Sequence, residues 1–333
     1  MQGTRYDCSI VNNDLERCIL KAIMTGNSRA SFWKKLRKHH ILLLMTVPGI
    51  LYFLINNYLP MFGIIIAFKD LNYAQGILGS EWVGFKNFEF LFRTDRAYLI
   101  TRNTVLYNAL FILINVILGV GVSILLNELK KKLMSRFYQS IILLPYLLSA
   151  VIVSYLAFSF LSVEYGFINK LILEPLGINA ITWYSEPKYW PYILTIVNVW
   201  KSVGYFSIIY LAAIVGIDTE YYEAATLDGA SKWQQVRSIT VPLLMPVIMI
   251  MTLLQVGKIF NADFGLFYQV PMNSGALMST TDVIDTYVYR ALMQMGDVGM
   301  ASAAGLYQSV LGFLVIFGVN YIVRKINSDH ALF

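Results

Sequence analysis

Long apolar runs alternate with short polar ones along almost the whole chain. Six stretches carry about 20 apolar residues each, the length a helix needs to cross the hydrocarbon layer of a bilayer. The pattern predicts spans near 41–68, 101–127, 138–162, 190–215, 242–265 and 300–323. The first is over-long and holds Pro48 and Pro60, which predicts a tilt, a kink or an interfacial portion. The fourth opens with WPYILTIVNVW, whose aromatic residues suit a membrane–water boundary. Ahead of the last span, TDVIDTYVYRALMQ sets polar residues 282, 285 and 290 among apolar ones, which predicts a helix outside the bilayer or at its edge. Residues 1–28 have no apolar core and so are not a signal peptide.

Composition extends this picture to the whole chain. Of its 333 residues, 57% are hydrophobic and 14% charged, and the mean hydropathy is +0.59. A soluble domain carries about a quarter charged residues, so the chain is expected to be an all-α polytopic membrane protein. The net charge of +6 does not point to nucleic acid, because Lys and Arg cluster beside the apolar runs. RASFWKKLRKHH, before the first span, holds five Lys/Arg and no acid, and ELKKKLMSRF, after the second, holds four against one acid. The C-terminal tail begins RK. Loop 163–189 has two Lys and three Glu, loop 266–299 has one Arg and three Asp, and loop 69–100 is nearly balanced. The basic side of a membrane protein faces the cytoplasm. Both termini and segment 216–241 are therefore expected inside, with 1–34 and 327–333 as cytoplasmic tails. Cys8 and Cys18 lie in the polar N-terminal stretch at a spacing that fits no metal motif, and read as incidental.

The sequence lacks the usual tools of catalysis. It has no G-x-x-x-x-G-K-[ST], no H-E-x-x-H and no G-x-S-x-G. The only histidines, His39, His40 and His330, lie near predicted cytoplasmic edges or ends, which leaves metal catalysis and a histidine proton relay without residues. Energy for uphill movement is expected from another chain or from an ion gradient. An ion-coupled secondary transporter, the alternative kept here, calls for mid-span acids and an inverted repeat. The spans hold few acids and no clear repeat. A membrane enzyme or a structural scaffold would leave the next segment unexplained.

That segment is EYYEAATLDGASKWQQVRSITVP, residues 220–242, set between two spans. Asp218 and Thr219 can cap a short helix with Glu residues near its start. Tyr222, Ala225, Thr226 and Gly229 share one face at helical spacing, Ala224 and Ala225 keep the profile slim, and Gly229 can turn the chain with φ > 0. A second helical stretch, 230–239, leads to Pro242 and Pro246. The result is a short helix across the cytoplasmic end of the bundle, shaped to enter a groove on another protein.

Glu223-Ala224-Ala225, three residues, Gly229, nine residues, Ile239, one residue, then Val241-Pro242 is similar to the EAA signature of binding-protein-dependent ABC importer permeases, with Val241 where leucine is usual. DGAS and W-Q at 228–234 resemble the carbohydrate-uptake branch. YLPMFGIIIAFKDLN, GSEWVGFKNFEFLF and MASAAGLYQSVLGFLVIFGVNYIVRK resemble permeases of the polysaccharide or aldouronate type, so the likeness runs over about 35–326. The resemblance implies a type I ABC importer transmembrane domain of six helices in a bacterial cell membrane, with a coupling loop at 216–242. It implies a second permease subunit, two ATPase subunits that hold ATP and Mg, and an extracytoplasmic solute-binding protein that delivers oligosaccharide. It also implies that Glu223, Ala224, Ala225, Asp228 and Gly229 dock on the ATPase, while this chain catalyses nothing and holds no cofactor.

Polar residues inside spans are costly and are functional candidates. Asn198, Trp200, Lys201 and Tyr205 in the fourth span, and Gln255, Lys258, Asn261 and Asp263 in the fifth, are expected along a sugar path, and Asn115 and Ser123 interrupt the second. Sugars bind through hydrogen bonds and aromatic stacking, which suits Trp200, Tyr205 and Gln255. A lysine there could pair with a uronate carboxylate; Lys201 or Lys258 could instead pair with Asp263 or a partner permease, or snorkel to water. Gly119, Gly121, Gly204, Gly305 and Gly312 are expected to permit close helix packing.

Overall fold

The computed structural model describes residues 38–89, 95–129 and 131–326. The two expected tails and both cysteines lie outside the described residues. The chain divides into two compact units, one ending at Gly63 and one beginning at Ile64.

In the first unit, helix α1 (His40–Phe53) is apolar around its whole circumference and has no buried residue, as suits a helix surrounded by lipid. It continues through a π turn, Leu54–Tyr58, into Leu59–Met61. Pro60 lacks an N–H and its ring clashes with the carbonyl four residues back. The wider π turn just ahead of it relieves that clash.

The second unit opens with a small antiparallel ladder. β1 (Lys69–Asp70) pairs with β2 (Glu81–Trp82), Lys69 opposite Trp82. Lys69 is buried; its Nζ donates to the carbonyls of Ile77 and Leu78, both at 2.9 Å. Helix α2 (Asp95–Asn127) follows, 33 residues or about 50 Å at the usual rise of about 1.5 Å per residue. Then come α3 (Lys132–Leu147), α4 (Ala150–Leu161), α5 (Trp190–Val215), α6 (Thr219–Leu227), α7 (Lys232–Val256), α8 (Ile284–Met293) and α9 (Val298–Ile326).

Five of the described helical segments are long and apolar enough to cross a membrane, or six when the bent pair α3 and α4 counts as one. The expected third span at 138–162 corresponds to that pair, whose helices meet at 96°. Pro145 removes a ladder hydrogen bond near the end of α3, Leu148 is extended, and the Ser149 hydroxyl accepts from the Ile152 N–H and restarts the helix. The bounds of the fifth span are corrected. It runs over Lys232–Val256 rather than 242–265, and residues 257–263 are unwound. Inside α7, a π turn at Val236–Thr240 precedes Pro242, the same device seen before Pro60.

α5 packs along α2 and α3. A Cβ on Gly204 of α5 would lie 2.0 Å from the Ile142 carbonyl oxygen of α3, and one on Gly119 of α2 would lie 3.0 Å from Phe206 Cβ. Backbones therefore touch where side chains are absent, which favours association when lipid removes the hydrophobic drive between helices. A Cβ on Gly312 would lie 3.9 Å from the Gly257 carbonyl oxygen, whereas one on Gly121 or Gly305 would meet nothing within 4 Å, so these two are not packing glycines among the described residues. One core joins Tyr107 and Phe111 of α2, Val153 of α4, Trp190 and Leu194 of α5, and Leu266, Phe267, Val270, Leu277 and Val283 of the segment after α7. That segment is thus folded into the bundle. A separate cluster of Tyr210, Ile214 and Leu244 fastens α5 to α7 near the α6 end.

Candidate functional site

Two groups of residues matter, at opposite ends of α7. The first is α6 with its turn. Asp218 caps α6 by accepting from the Glu220 N–H at 3.0 Å. Gly229 has φ +79°, the left-handed conformation expected of it. Ser231 and Gln234 form a capping box that starts α7. No residue of α6 is buried. Glu223, Ala224, Asp228 and Gly229 are exposed, Ala225 is half-buried, and the exposed apolar residues Tyr221, Leu227 and Trp233 stand beside them. The helix presents a slim, acidic and apolar surface that no other described residue covers. Its inner face is held by polar contacts: Tyr222 and Thr240 share a hydrogen bond at 2.9 Å, and buried Gln235 donates from Nε2 to Thr226 Oγ1 at 2.9 Å.

The second group lies where α5 meets the unwound 257–263. Lys201 Nζ pairs with Asp263 Oδ2 at 3.6 Å. Asn198, one turn earlier on the same face, accepts at Oδ1 from Asn115 Nδ2 of α2 at 3.1 Å. Asn115 is buried, and its own Oδ1 has no donor among the described residues. Tyr205, one turn beyond Lys201, stacks on Tyr146 of α3 with centroids 4.7 Å apart at 12°, and both rings are partly exposed. Asn115, Asn198, Lys201, Asp263 and Tyr205 therefore form one polar and aromatic track. Trp200 turns away from it and lines an apolar cavity of about 420 Å³ with Val153, Phe160, Ile193 and Ile196. Gln255 donates to the carbonyl of Met251 in its own helix at 3.4 Å. Lys258 and Asn261 are exposed on the unwound stretch, past the end of α7 rather than inside a span. Ser123 bonds the Val120 carbonyl and is fully buried.

Side chains from three helices hold the unwound stretch in place. Asn108 Nδ2 of α2 donates to the carbonyls of Ile259 and Asn261 at 2.7 and 3.2 Å, and Gln308 Nε2 of α9 to that of Phe260 at 2.6 Å. Asp285 of α8 accepts from the Ala262 N–H at 2.7 Å and from Gln308 at 3.2 Å. Backbone groups freed from a helix and buried in protein need such replacements. Burial raises the Asp285 carboxyl above its ordinary value, and the hydrogen bond from Ala262 partly offsets this. α8 is pinned in turn by a buried ion pair, Asp282 with Arg290, and by Asn103, whose Nδ2 donates to the Asp282 carbonyl at 3.0 Å. Polar residues 282, 285 and 290, which marked this helix in the sequence, are thus structural anchors. Asn108, Gln308 and Gln235 were missed by sequence reading. A lone amide in an apolar run carries no periodic signal, although Ser231-x-x-Gln234 marked the helix start beside Gln235.

Comparison with known proteins places this geometry in context. Residues 97–328 match the model of the family described as binding-protein-dependent transport system inner membrane component. The chain is 35% identical to Protein LplB of Bacillus subtilis (strain 168) over 307 residues, 92% of this chain and 96% of that protein. It is 36% identical to the polygalacturonan/rhamnogalacturonan transport system permease protein YteP of the same organism, over 89% of this chain and 91% of that protein. Among solved structures, a chain of a bacterial ABC transporter involved in the import of the acidic polysaccharide alginate superposes with a TM-score of 0.81 at 31% identity, covering 89% of this chain and 99% of that one. A second, of a bacterial alginate ABC transporter in complex with an alginate pentasaccharide-bound periplasmic protein, gives 0.79 at 31% identity, covering 88% and 97%.

Proposed function

Because this chain belongs to the family of binding-protein-dependent transport system inner membrane components, we propose that it is the oligosaccharide-conducting permease subunit of an ATP-driven importer in a bacterial cell membrane, with both termini in the cytoplasm. It pairs with a second permease subunit and two ATP-binding subunits, and an extracytoplasmic solute-binding protein delivers the sugar. It performs no chemistry; ATP and Mg are held by the ATP-binding subunits. α6, with Glu223, Ala224, Ala225, Asp228 and Gly229, enters a groove on one of those subunits. The single observation that carries this reading is α6 itself, a nine-residue helix with no buried residue, lying beyond the last turn of a membrane-spanning helix and fastened to the next.

An acidic oligosaccharide fits the track best. Lys201 offers a cation inside the bundle, Asn115 and Asn198 offer amides, and the Tyr146–Tyr205 stack offers an aromatic face. The names of the permease for polygalacturonan/rhamnogalacturonan and of the alginate importer agree with that chemistry. Asn198, Lys201 and Tyr205 line the path, with Gln255, Lys258 and Asn261 at its α7 end and Trp200 on its apolar flank. Purification of the tagged chain from its native membrane tests the assembly. An ATP-binding subunit and a second permease should accompany it, and their absence from a folded, inserted preparation would overturn the proposal.

A further inference from the structure

Helix α6 poses a mechanical problem. It has no buried side chain to anchor it, and at Gly229, the turn that joins it to α7, a Cβ would meet nothing within 4 Å. The backbone closes that turn with two bonds, from the Gly229 N–H to the Thr226 carbonyl at 3.1 Å and from the Ala230 N–H to the Ala225 carbonyl at 2.9 Å, and neither reaches into α7. α7 has its own weak point, because the π turn at Val236–Thr240 loosens the ladder just before Pro242. Two hydrogen bonds bridge these soft places, one the glycine turn and the other both. Gln235, 4% exposed, donates to Thr226 Oγ1 at 2.9 Å and so spans the glycine turn. Tyr222 bonds Thr240, also 4% exposed and itself the last residue of the π turn, at 2.9 Å. The Thr226 hydroxyl in turn donates to the Tyr222 carbonyl at 2.7 Å, which links the two bonds. The Lys232–Glu128 pair at 3.5 Å also reaches this region, but both partners are solvent-exposed, and pairs of that kind contribute little.

We infer that Tyr222, Thr226, Gln235 and Thr240 form a brace that makes α6 and α7 one lever, so that displacement of α6 by the ATP-binding subunits reaches the far end of α7. This rests on the permease function proposed above. The lever has the reach it needs. Lys232–Val256 is 25 residues, about 37 Å at the usual helical rise of about 1.5 Å per residue. Its far end is the unwound 257–263 that carries Asp263 to Lys201. The four residues are positioning residues that touch no sugar. Coupling between distant sites is carried by packed and hydrogen-bonded elements that have two discrete arrangements, and the brace adds side-chain connections to the backbone bonds that close the turn.

The test uses the complete transporter, with a single-cysteine reporter at Leu254→Cys in a background lacking Cys8 and Cys18. Labelling of the reporter by a maleimide is compared without nucleotide and after trapping with ATP and vanadate. With the brace intact, trapping should change the labelling rate about tenfold, within the usual span of coupling energies. In Tyr222→Phe with Gln235→Leu the change should vanish while the ATP-binding subunits still co-purify and hydrolyse ATP. Thr240→Ser, which keeps the hydroxyl, should retain the change, and Thr240→Val should lose it. An unaltered response in the double variant would overturn the brace, as would loss of assembly in Tyr222→Phe alone or an intact-brace reporter that ignores vanadate trapping. If no ATP-binding subunit accompanies even the unsubstituted chain, the proposed function fails instead.

Discussion

At Gly204 a single hydrogen atom lets α3 and α5 touch. A methyl group there would meet the Ile142 carbonyl oxygen at 2.0 Å, and backbone cannot swing aside as a side chain can. Gly204→Ala should therefore lower stability by about 1–3 kcal/mol, toward the upper end of what overpacking costs. Gly305→Ala, with open space around it, should be neutral or gain about 0.5–1 kcal/mol from helix propensity. Thermal unfolding in detergent separates the two. Asp285 makes a different kind of prediction. Burial raises its carboxyl in the folded protein, so the folded state holds that proton more tightly than the unfolded chain does. Its contribution to stability is full at low pH and is lost as pH rises from the ordinary carboxylate value through the raised one. Asp285→Asn should remove that decline from a pH series of thermal midpoints; an unchanged decline would assign it to another group.

At the scale of elements, α6 and its turn were legible in the sequence and the ends of the spans were not. Asp218, the Tyr222–Thr226 face and Gly229 each carry a local signal that no distant contact overrides, and the helix lies where they put it. The break at Leu148–Ser149 was hidden because Pro145 and Ser149 are both tolerated within spans, and only packing decides whether a proline kinks or ends a helix. The early end of α7 was hidden for a related reason. Hydropathy continues through Ile259 and Phe260, but their carbonyls are taken by Asn108 and Gln308, residues some 150 and 50 positions away in sequence. The role proposed for α6 predicts that Glu223→Lys and Gly229→Leu abolish ATP-dependent uptake while the chain still inserts. The second acts by strain, about 1–2 kcal/mol for a side chain at that φ. Membrane fractionation and an uptake assay check both, and normal uptake in the pair would remove α6 from the coupling role.

For the whole molecule, the two ends of α7 differ: an exposed helix, α6, adjoins one and a charged, aromatic track the other. The expected path residues divide accordingly. Asn198, Lys201 and Tyr205 fall on one face of α5 and gather partners, whereas Trp200, a single position away, turns 100° into an apolar cavity because about 3.6 residues complete a helical turn. That rotation was readable from spacing alone; which face would meet Asp263 was not, since it depends on where α7 unwinds. If the track conducts acidic sugar, Lys201→Ala should reduce uptake of an oligogalacturonate about tenfold or more, as loss of a charge-assisted contact implies, and Gln255→Ala and Lys258→Ala should change it less. Equal uptake in all three would place the path elsewhere. The most direct test of the central claim is uptake of labelled oligogalacturonate into proteoliposomes that contain this chain with its partner permease, ATP-binding subunits and solute-binding protein. Uptake should require both internal ATP and the binding protein and be indifferent to a proton or sodium gradient; uptake driven by an ion gradient without ATP would contradict an ATP-driven importer.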